Sequence, residues 1–194
     1  MIISMIKNQL QPDKFIRNRF STQTPKTLER QQMLIRHQAS IRSIMALQTR
    51  YMTHWDQMLN REVGRPSATT MVQDLFTPDG QWIAYIEGDR VKEHYGKVKL
   101  IALFESLAKQ TTENESSYVK HFSMNPQIEI TGDTATKRES FVVFNSDDNK
   151  NESGWLIGYY MDELKQDMGG EWRFKSKIAM VENISNWPSK RQAS

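Results

Sequence analysis

Apolar side chains recur with a regular period from residue 41 onward. They return every three or four residues, which is the spacing of a single helical face, and the pattern runs for about five turns. Gly64 and Pro66 end it. Shorter patterns of the same kind predict helices over residues 70–76 and 97–109. The members of the first stripe are Ile41, Ile44, Leu47, Tyr51, Trp55 and Met58.

Most of the remaining chain favours β-strands, because β-branched and aromatic residues are frequent and turn residues separate the runs. Pro126 falls inside one run and predicts a bulge or an edge position there. The sequence Thr131-Gly132-Asp133 predicts a hairpin turn. Strands are predicted over residues 81–87, 118–130, 135–145, 154–166 and 171–182.

The order of these elements predicts an α+β fold. The last four strands follow one another as hairpins, which makes an antiparallel sheet, and the three helices must cover one of its faces. Long strands with an internal bulge curl, and a curled sheet closed by helices encloses space. We therefore expect a curved antiparallel (mixed) sheet packed on three helices, forming a cone with an internal pocket.

The first 38 of the 194 residues differ from the rest in charge. They hold seven basic and two acidic residues, whereas the remainder holds 19 basic and 21 acidic residues. We expect residues 1–38 to form a basic, polar extension with short helical pieces at most, residues 39–187 the folded domain, and residues 188–194 a tail. We expect this extension to lie in solvent or to bind a docking partner. Nucleic acid is not expected as a partner, because the basic residues are too sparse for a phosphate-binding stripe.

Several classes of function are excluded by absent residues or motifs. The chain has no cysteine, so it has no disulfide, thiolate zinc site or cysteine nucleophile. Its apolar runs are too short for a membrane span or the core of a signal peptide, so a cytoplasmic protein without membrane contact is expected. Phosphate-loop, dinucleotide-binding and serine-elbow motifs are absent. We expect neither a metal nor a cofactor.

The chain resembles a known family over about residues 40–183. Its order of elements resembles the nuclear-transport-factor-2-like cone fold and, within it, the SnoaL-like (polyketide-cyclase-like) group. That family contains hydro-lyases, isomerases, cyclases, dehydrochlorinases, non-catalytic subunits and binding proteins, so the resemblance implies the fold but no single activity. Segments that carry it include Asp74-Leu75-Phe76-Thr77-Pro78-Asp79-Gly80, Tyr95-Gly96, His121-Phe122, Gly132-Asp133, Gly158-Tyr159-Tyr160 and Trp172-Arg173-Phe174.

The resemblance also implies a site. Dehydratases and dehydrochlorinases of the family carry an Asp on the first helix and a His on the strand after the polar loop, and Asp56 and His121 match these positions. His121 would be the general base, while Asp56 would hold its tautomer and stabilise the imidazolium. Tyr51 matches a Tyr of the family's bile-acid dehydratase and would donate a hydrogen bond to a substrate oxygen. Structural interpretations stay open: a pocket-lining or structural His121, an exposed Asp56 and a core Tyr51.

Other side chains are assigned by pattern alone. Arg173, Lys175 and Lys177 alternate with apolar residues on the last predicted strand, and we expect this basic set to face solvent. The alternative is one cation inside the cone that binds an anionic substrate. The aromatic residues predicted to contact a small hydrophobic ligand are Trp55, Trp82, Tyr85, Phe104, Phe141 and Tyr159.

Two hypotheses for function follow. The first is a cofactor-independent lyase or isomerase that acts on a small hydrophobic compound, cyclic or polyketide-like, through the Asp–His dyad. The second is a non-catalytic ligand-binding protein, or an oligomeric scaffold like the small subunit of ring-hydroxylating dioxygenases. The basic extension and a long connection between the first two helices suit partner contacts and favour the second. In either case the open face of the sheet predicts a homodimer or homotrimer.

Overall fold

A computed structural model describes most of the chain. The predicted tail and most of the predicted basic extension lie outside the described residues. Among the described residues, no helix combines the length and the apolar character that are needed to cross a membrane. The described residues are 24–86, 88–112, 117–147 and 152–185.

The chain divides into two units, residues 1–37 and residues 38–194. Of the first unit, the structure describes residues 24–37, whose side chains are exposed. The second unit contains the sheet, the core and every residue of the candidate site.

The first helix, α1, spans Pro25–Leu59 and begins well before the predicted stripe. The expectation of short helical pieces at most is therefore wrong for the described residues of the extension. Proline is favourable in a first helical turn, and the carbonyl of Thr24 accepts the N–H groups of Thr27 and Leu28 at 2.8 and 3.2 Å. The first turns of α1 have no buried face, so the sequence contains no apolar stripe there. The stripe is confirmed farther on, where the buried residues are Ile44, Leu47, Gln48, Tyr51, Trp55, Asp56, Met58 and Leu59.

Two shorter helices and six strands follow in the described part of the chain. Helix α2 spans Ala68–Leu75. Ser67 is its N-cap, because the Ser67 hydroxyl accepts the main-chain N–H of Thr70 at 3.0 Å. Helix α3 spans Gly96–Thr112. The strands are β1 Phe76–Ile86, β2 Asp89–Tyr95, β3 Ser117–Thr131, β4 Thr134–Asp147, β5 Glu152–Gln166 and β6 Trp172–Ser185.

The strands form one mixed, curved sheet in the order β2-β1-β6-β5-β4-β3. β1 runs parallel to β6, and the other neighbours are antiparallel. This arrangement with three helices confirms the predicted fold class; the internal pocket stays a prediction. Strand β2 was missed because it is rich in charged residues, as an edge strand that pairs with one neighbour can be.

One hydrophobic core lies between the helices and one face of the sheet, which we call the inner face. Helix α2 contributes Met71 and Leu75, helix α3 contributes Leu100 and Phe104, and β6 contributes Phe174, all fully buried. The opposite face of the sheet is called the outer face. The helices thus leave one side of the sheet for contacts other than those of the core.

The sequence also predicted an irregularity in β3 at Pro126. The pairing of β3 with β4 shifts between Met124 and Gln127, and Asn125 adopts a left-handed φ of 57° at that point. The bulge is therefore confirmed, and β3 is also an edge strand. Such bulges bend a strand and contribute to the curvature of the sheet.

Candidate active site

Asp56 and His121 meet at the β3 edge of the sheet. Oδ1 of Asp56, on α1, lies 2.7 Å from Nδ1 of His121 and also accepts the main-chain N–H of His121 at 3.0 Å. The two side chains are 4% and 11% exposed. An acid and an imidazole that are 65 residues apart in the chain thus form a shielded, hydrogen-bonded pair. A catalytic role for the pair stays a prediction.

Lys120 completes the hydrogen bonds of this carboxylate, because its Nζ lies 2.8 Å from Oδ2 of Asp56. Burial alone would raise the pKa of Asp56, but the hydrogen bonds from His121 and Lys120 outweigh it and hold the pKa below its ordinary value. The same contact raises the pKa of Lys120. Asp56 is therefore an ionised acceptor, so the shared proton lies on Nδ1 of His121. In the neutral ring Nε2 is then the basic nitrogen.

Tyr51 is buried in the core. Its hydroxyl oxygen accepts the indole N–H of Trp82 at 3.1 Å, and the rings of Trp55, Tyr160 and Phe174 meet it edge-on. Burial raises the pKa of the Tyr51 hydroxyl well above its ordinary value. The hydroxyl therefore keeps its proton, and that proton is the group it can offer to another acceptor.

Three more of the residues predicted to contact a ligand lie on the inner side of the sheet, namely Trp55, Phe104 and Phe141. The ring of Trp55 lies 6.1 Å from the ring of His121, and its buried indole N–H has no hydrogen-bond partner among the described residues. Phe104 meets Trp55 edge-on at 4.9 Å. Phe141 stacks on Tyr160 at 4.3 Å. The ring of Trp55 thus lies beside the imidazole, and Phe104 and Phe141 belong to the apolar core on the same side of the sheet.

Tyr85 and Tyr159 do not join this group, which corrects the prediction that they contact the same ligand. Successive strand residues face opposite sides of a sheet, so Tyr159 faces away from its inward neighbour Tyr160. The guanidinium of Arg138 lies over the ring of Tyr159 at 4.3 Å. Tyr85 and Tyr159 both pair with Met180, on either side of it in the sheet. The two tyrosines therefore belong to the outer face.

Pattern reasoning missed a buried cluster of charged side chains on the inner face. The sheet register puts Lys137, Asp162 and Lys177 directly opposite one another on β4, β5 and β6. Nζ of Lys137 lies 2.9 Å from Asp162 and also contacts Glu139, and Nζ of Lys177 lies 3.1 and 3.2 Å from the two oxygens of Asp162. Both ammonium groups donate to Oε1 of Gln48 at 2.9 Å. We call these five residues the buried ion cluster.

The expectation that Lys177 faces solvent is wrong, because its side chain is fully buried. The pairing of β5 with β6 skips Lys175, which is bulged out of the ladder. Phe174 and Lys177 are therefore successive inward-facing residues of β6. The regular alternation of inward and outward side chains that the sequence suggested is broken between them. No residue type at this position of the sequence predicts the bulge.

Lys177 occupies a cage of aromatic rings. Its Nζ lies 4.4, 4.0 and 4.3 Å from the ring centres of Tyr51, Tyr160 and Phe174. Burial lowers the pKa of Lys177 to about 8, although the charge of Asp162 opposes this shift. The cation inside the fold is thus held by the protein's own carboxylates and rings. The described residues include no group of three or more His, Asp or Glu side chains arranged to hold a metal ion.

Sequence comparison decides the family. The profile described as a SnoaL-like domain matches residues 36–177, which is most of the chain and includes the dyad and the buried ion cluster. The chain belongs to the SnoaL-like family. No curated protein sequence matches it. The resemblance based on motifs is therefore confirmed at the level of the family.

Solved structures with a similar fold have varied descriptions. A putative scytalone dehydratase from Novosphingobium aromaticivorans is 17% identical, with a TM-score of 0.60 over 81% of this chain and 93% of that chain. A hexachlorocyclohexane dehydrochlorinase from Novosphingobium barchaimii is 15% identical, with a TM-score of 0.59 over 82% and 98%. The β subunit of a putative aromatic-ring-hydroxylating dioxygenase from N. aromaticivorans is 20% identical, with a TM-score of 0.59 over 76% and 92%. At these identities the likeness shows the fold alone.

Proposed function

We propose that the protein is a cofactor-independent lyase or isomerase whose Asp56–His121 dyad removes a proton from a small hydrophobic compound, cyclic or polyketide-like. The observation that carries the proposal is the 2.7 Å contact between an ionised, shielded carboxylate and Nδ1 of the imidazole. This contact leaves Nε2 as the base. Similar folds described as a dehydratase and a dehydrochlorinase support the reaction class.

In this mechanism Nε2 of His121 takes a proton from a substrate carbon. The electron pair of the broken C–H bond forms a new double bond, and the leaving group departs with its own electron pair. A halide leaves as the anion, and the imidazolium then releases its proton to solvent, whereas a hydroxyl group takes the proton from the imidazolium of His121 and leaves as water. Asp56 stabilises the imidazolium while it exists. General-base catalysis of this kind contributes about 10²–10⁴-fold to a rate.

The neighbouring side chains suit an oxygen-bearing hydrophobic substrate. Tyr51 keeps a hydroxyl proton that can be donated. Trp55, whose ring lies 6.1 Å from the ring of His121, carries a second buried donor, an indole N–H without a hydrogen-bond partner among the described residues. Phe104 and Phe141 supply apolar walls. Donors that face developing negative charge in an apolar setting stabilise a transition state more strongly than they would in water.

A probe with one activated C–H bond tests the proposal without knowledge of the natural substrate. In 5-nitrobenzisoxazole a base removes the proton on carbon 3, the N–O bond breaks, and the product is a coloured cyanophenolate. We expect the protein to accelerate this reaction and the His121→Gln and Asp56→Asn variants to lose about 10²-fold or more of the acceleration. The matched control is His37→Gln, an exposed histidine, which should keep the wild-type rate. Equal rates for the wild type and His121→Gln would contradict the proposal.

The second candidate function is a non-catalytic ligand-binding or scaffold protein. It is favoured by one observation: Asp56 also accepts the main-chain N–H of β3, which is a structural task. A similar fold is described as a dioxygenase β subunit. Thermal-shift measurements with 5-nitrobenzisoxazole separate the two candidates. Stabilisation retained in Asp56→Asn and His121→Ala, with no turnover in any form, would favour binding over catalysis.

A further inference from the structure

The free edge of β3 is paired by side chains of α1 and its end rather than by another strand. The N–H of Val119 donates to Oδ1 of Asn60 at 2.7 Å, and the carbonyl of Val119 accepts Nδ2 of Asn60 at 2.8 Å. The amide of Asn60 therefore offers β3 the donor and acceptor that a neighbouring peptide group would offer. Two residues farther along the same edge, the N–H of His121 donates to Asp56.

The spacing of the two helical positions explains how this pairing arises. Residues four apart in a helix are separated by about 6 Å along its axis. Residues two apart on a strand are separated by about 6.8 Å and point their N–H and carbonyl groups to the same side. Because the two repeats nearly match, Asp56 and Asn60 can bind His121 and Val119 at the same time.

The end of α1 fixes where the amide of Asn60 lies. The N–H of Asn60 still donates to the carbonyl of Asp56 at 2.8 Å, so the helical spacing holds up to this residue. Arg61 then takes a left-handed φ of 57°, and the N–H of Glu62 donates back to Gln57 at 3.0 Å. This is the hydrogen bond of a Schellman ending, which stops a helix at a defined residue. The Asp56–Asn60 pair is therefore a rigid two-point unit.

We propose that Asn60 is a positioning residue of the dyad, which holds His121 against Asp56 by fixing β3 at Val119. The inference rests on the proposed function. A strand bound to the helix only through Asp56 could pivot about that carboxylate and carry the imidazole away from it. Two further hydrogen bonds at Val119 remove this freedom. A displacement of about 1 Å at a catalytic group can cost about a hundredfold in rate.

The test compares Asn60→Leu, which keeps most of the volume but makes neither bond to Val119, with the wild type. One readout is a long-range proton–nitrogen NMR spectrum of the His121 ring, which distinguishes a proton on Nδ1 from one on Nε2. We expect the wild-type neutral ring to carry its proton on Nδ1 and the variant to show a mixture of tautomers. The other readout is the rate with 5-nitrobenzisoxazole, which we expect to fall about tenfold to a hundredfold.

A matched control separates positioning from general stability. Met58 is 4% exposed and lies in the same helical turn, so Met58→Ala loses core packing but keeps both hydrogen bonds between Asn60 and Val119. Measured well below its melting temperature, Met58→Ala should keep the wild-type ring spectrum and rate although it unfolds more easily. Asn60→Asp keeps the acceptor for the Val119 N–H and should fall between Asn60→Leu and the wild type. If Asn60→Leu does not fold, Asn60→Asp is compared with the wild type in its place.

The outcomes distinguish the inference from the function on which it rests. If Asn60→Leu and Asn60→Asp keep the wild-type ring spectrum and rate while Asp56→Asn loses the rate, the positioning role is wrong and the proposed function stands. If Asp56→Asn and His121→Gln also keep the rate, the proposed function fails. The ring spectrum then still decides whether Asn60 sets the contact between Asp56 and His121. An equal loss of rate in Met58→Ala would also overturn the positioning role.

Discussion

At the scale of single residues, one carboxylate organises the candidate site. Asp56 accepts hydrogen bonds from the ring and the main chain of His121 and from the ammonium of Lys120. Charge-assisted bonds of this kind offset the cost of taking a carboxylate out of water. Asp56 therefore has a structural task and a chemical one, which explains why an acid occupies a position that is almost fully buried.

The depressed pKa of Asp56 predicts a contribution to stability that acid removes. The folded pKa lies below that of an unfolded carboxyl group, so the stabilisation is complete above about pH 5 and is lost as the pH falls through the folded pKa. We expect the free energy of unfolding to fall more steeply for the wild type than for Asp56→Asn between about pH 5 and pH 2. Urea denaturation at several pH values measures this. Parallel curves for the two proteins would contradict the prediction.

A second residue-scale prediction concerns Gly158 on the inner face. A β-carbon there would lie 1.9 Å from the carbonyl oxygen of Met180, which is main chain and cannot turn aside. We expect Gly158→Ala to lower the free energy of unfolding by about 3 kcal/mol or more. Gly169→Ala is the control, since its β-carbon would meet only a side-chain oxygen of Asp167 at 3.2 Å, and should change stability by about 0.5 kcal/mol or less. Chemical denaturation of both variants checks the difference.

At the scale of elements, bulges decide which side chains enter the core. The bulge at Lys175 turns Lys177 inward, opposite Asp162, and so completes the buried ion cluster. A buried ion pair is often no more stable than apolar residues of the same size, but removal of one partner leaves a charge without its counter-ion. The cluster therefore makes the stability of the fold depend on the register of β6.

A double-mutant cycle tests that dependence. We expect Lys177→Met to lower the free energy of unfolding by about 3–5 kcal/mol, because Asp162 loses one of its two cations. The double variant Lys177→Met/Asp162→Asn should lose less than the sum of the single changes, since Lys137 and Glu139 still balance each other. Losses that simply add would show that Lys177 and Asp162 do not depend on each other.

Elements with a regular apolar pattern were predictable from the sequence, and elements without one were not. The stripe from Ile44 gave the core part of α1, and hairpin turns gave β3 to β6. The first turns of α1 and the strand β2 present no apolar period, so pattern reasoning missed both. The residues at which an element begins and ends are set by main-chain hydrogen bonds. These could not be predicted from the sequence, because their partners come together only in the folded chain.

The candidate site was predictable to a similar degree. Asp56, His121 and Tyr51 were selected because they match positions of a family, and the distance between Asp56 and His121 could only come from the fold. Tyr159 was assigned to the wrong face, and so was Lys177. In the case of Lys177 the reason is a bulge, which changes the facing of every later residue of the strand without a mark in the sequence. Asn60 was missed because its partners are main-chain groups.

At the scale of the whole molecule, the outer face of the sheet has the character of an interface. Phe122 and Phe144 are 46% and 49% exposed and meet edge-on at 5.9 Å. Tyr118, Met124 and Met161 are further exposed apolar residues on the strands of this sheet. Large exposed apolar patches mark association sites on soluble proteins. Identical chains that associate through such a patch usually form a closed, symmetric assembly.

We therefore expect a homodimer or homotrimer that assembles through the outer face. The double change Phe122→Lys/Phe144→Lys puts like charges in the patch and should shift the protein to monomers. Sedimentation velocity at several concentrations measures this, with Met33→Lys, a change at an exposed residue of α1, as the control. A wild-type protein that is monomeric at all concentrations would refute the expectation, and so would a double variant with unchanged assembly.

The central claim is that His121, held by Asp56, takes a proton from carbon. The most direct measurement compares 5-nitrobenzisoxazole carrying hydrogen or deuterium on carbon 3, with the rate of the His121→Gln variant subtracted from that of the wild type. We predict that the remaining rate is clearly slower for the deuterated probe, because the C–H bond breaks in the rate-limiting step. A remaining rate of zero, or one that is the same for both probes, would contradict the claim.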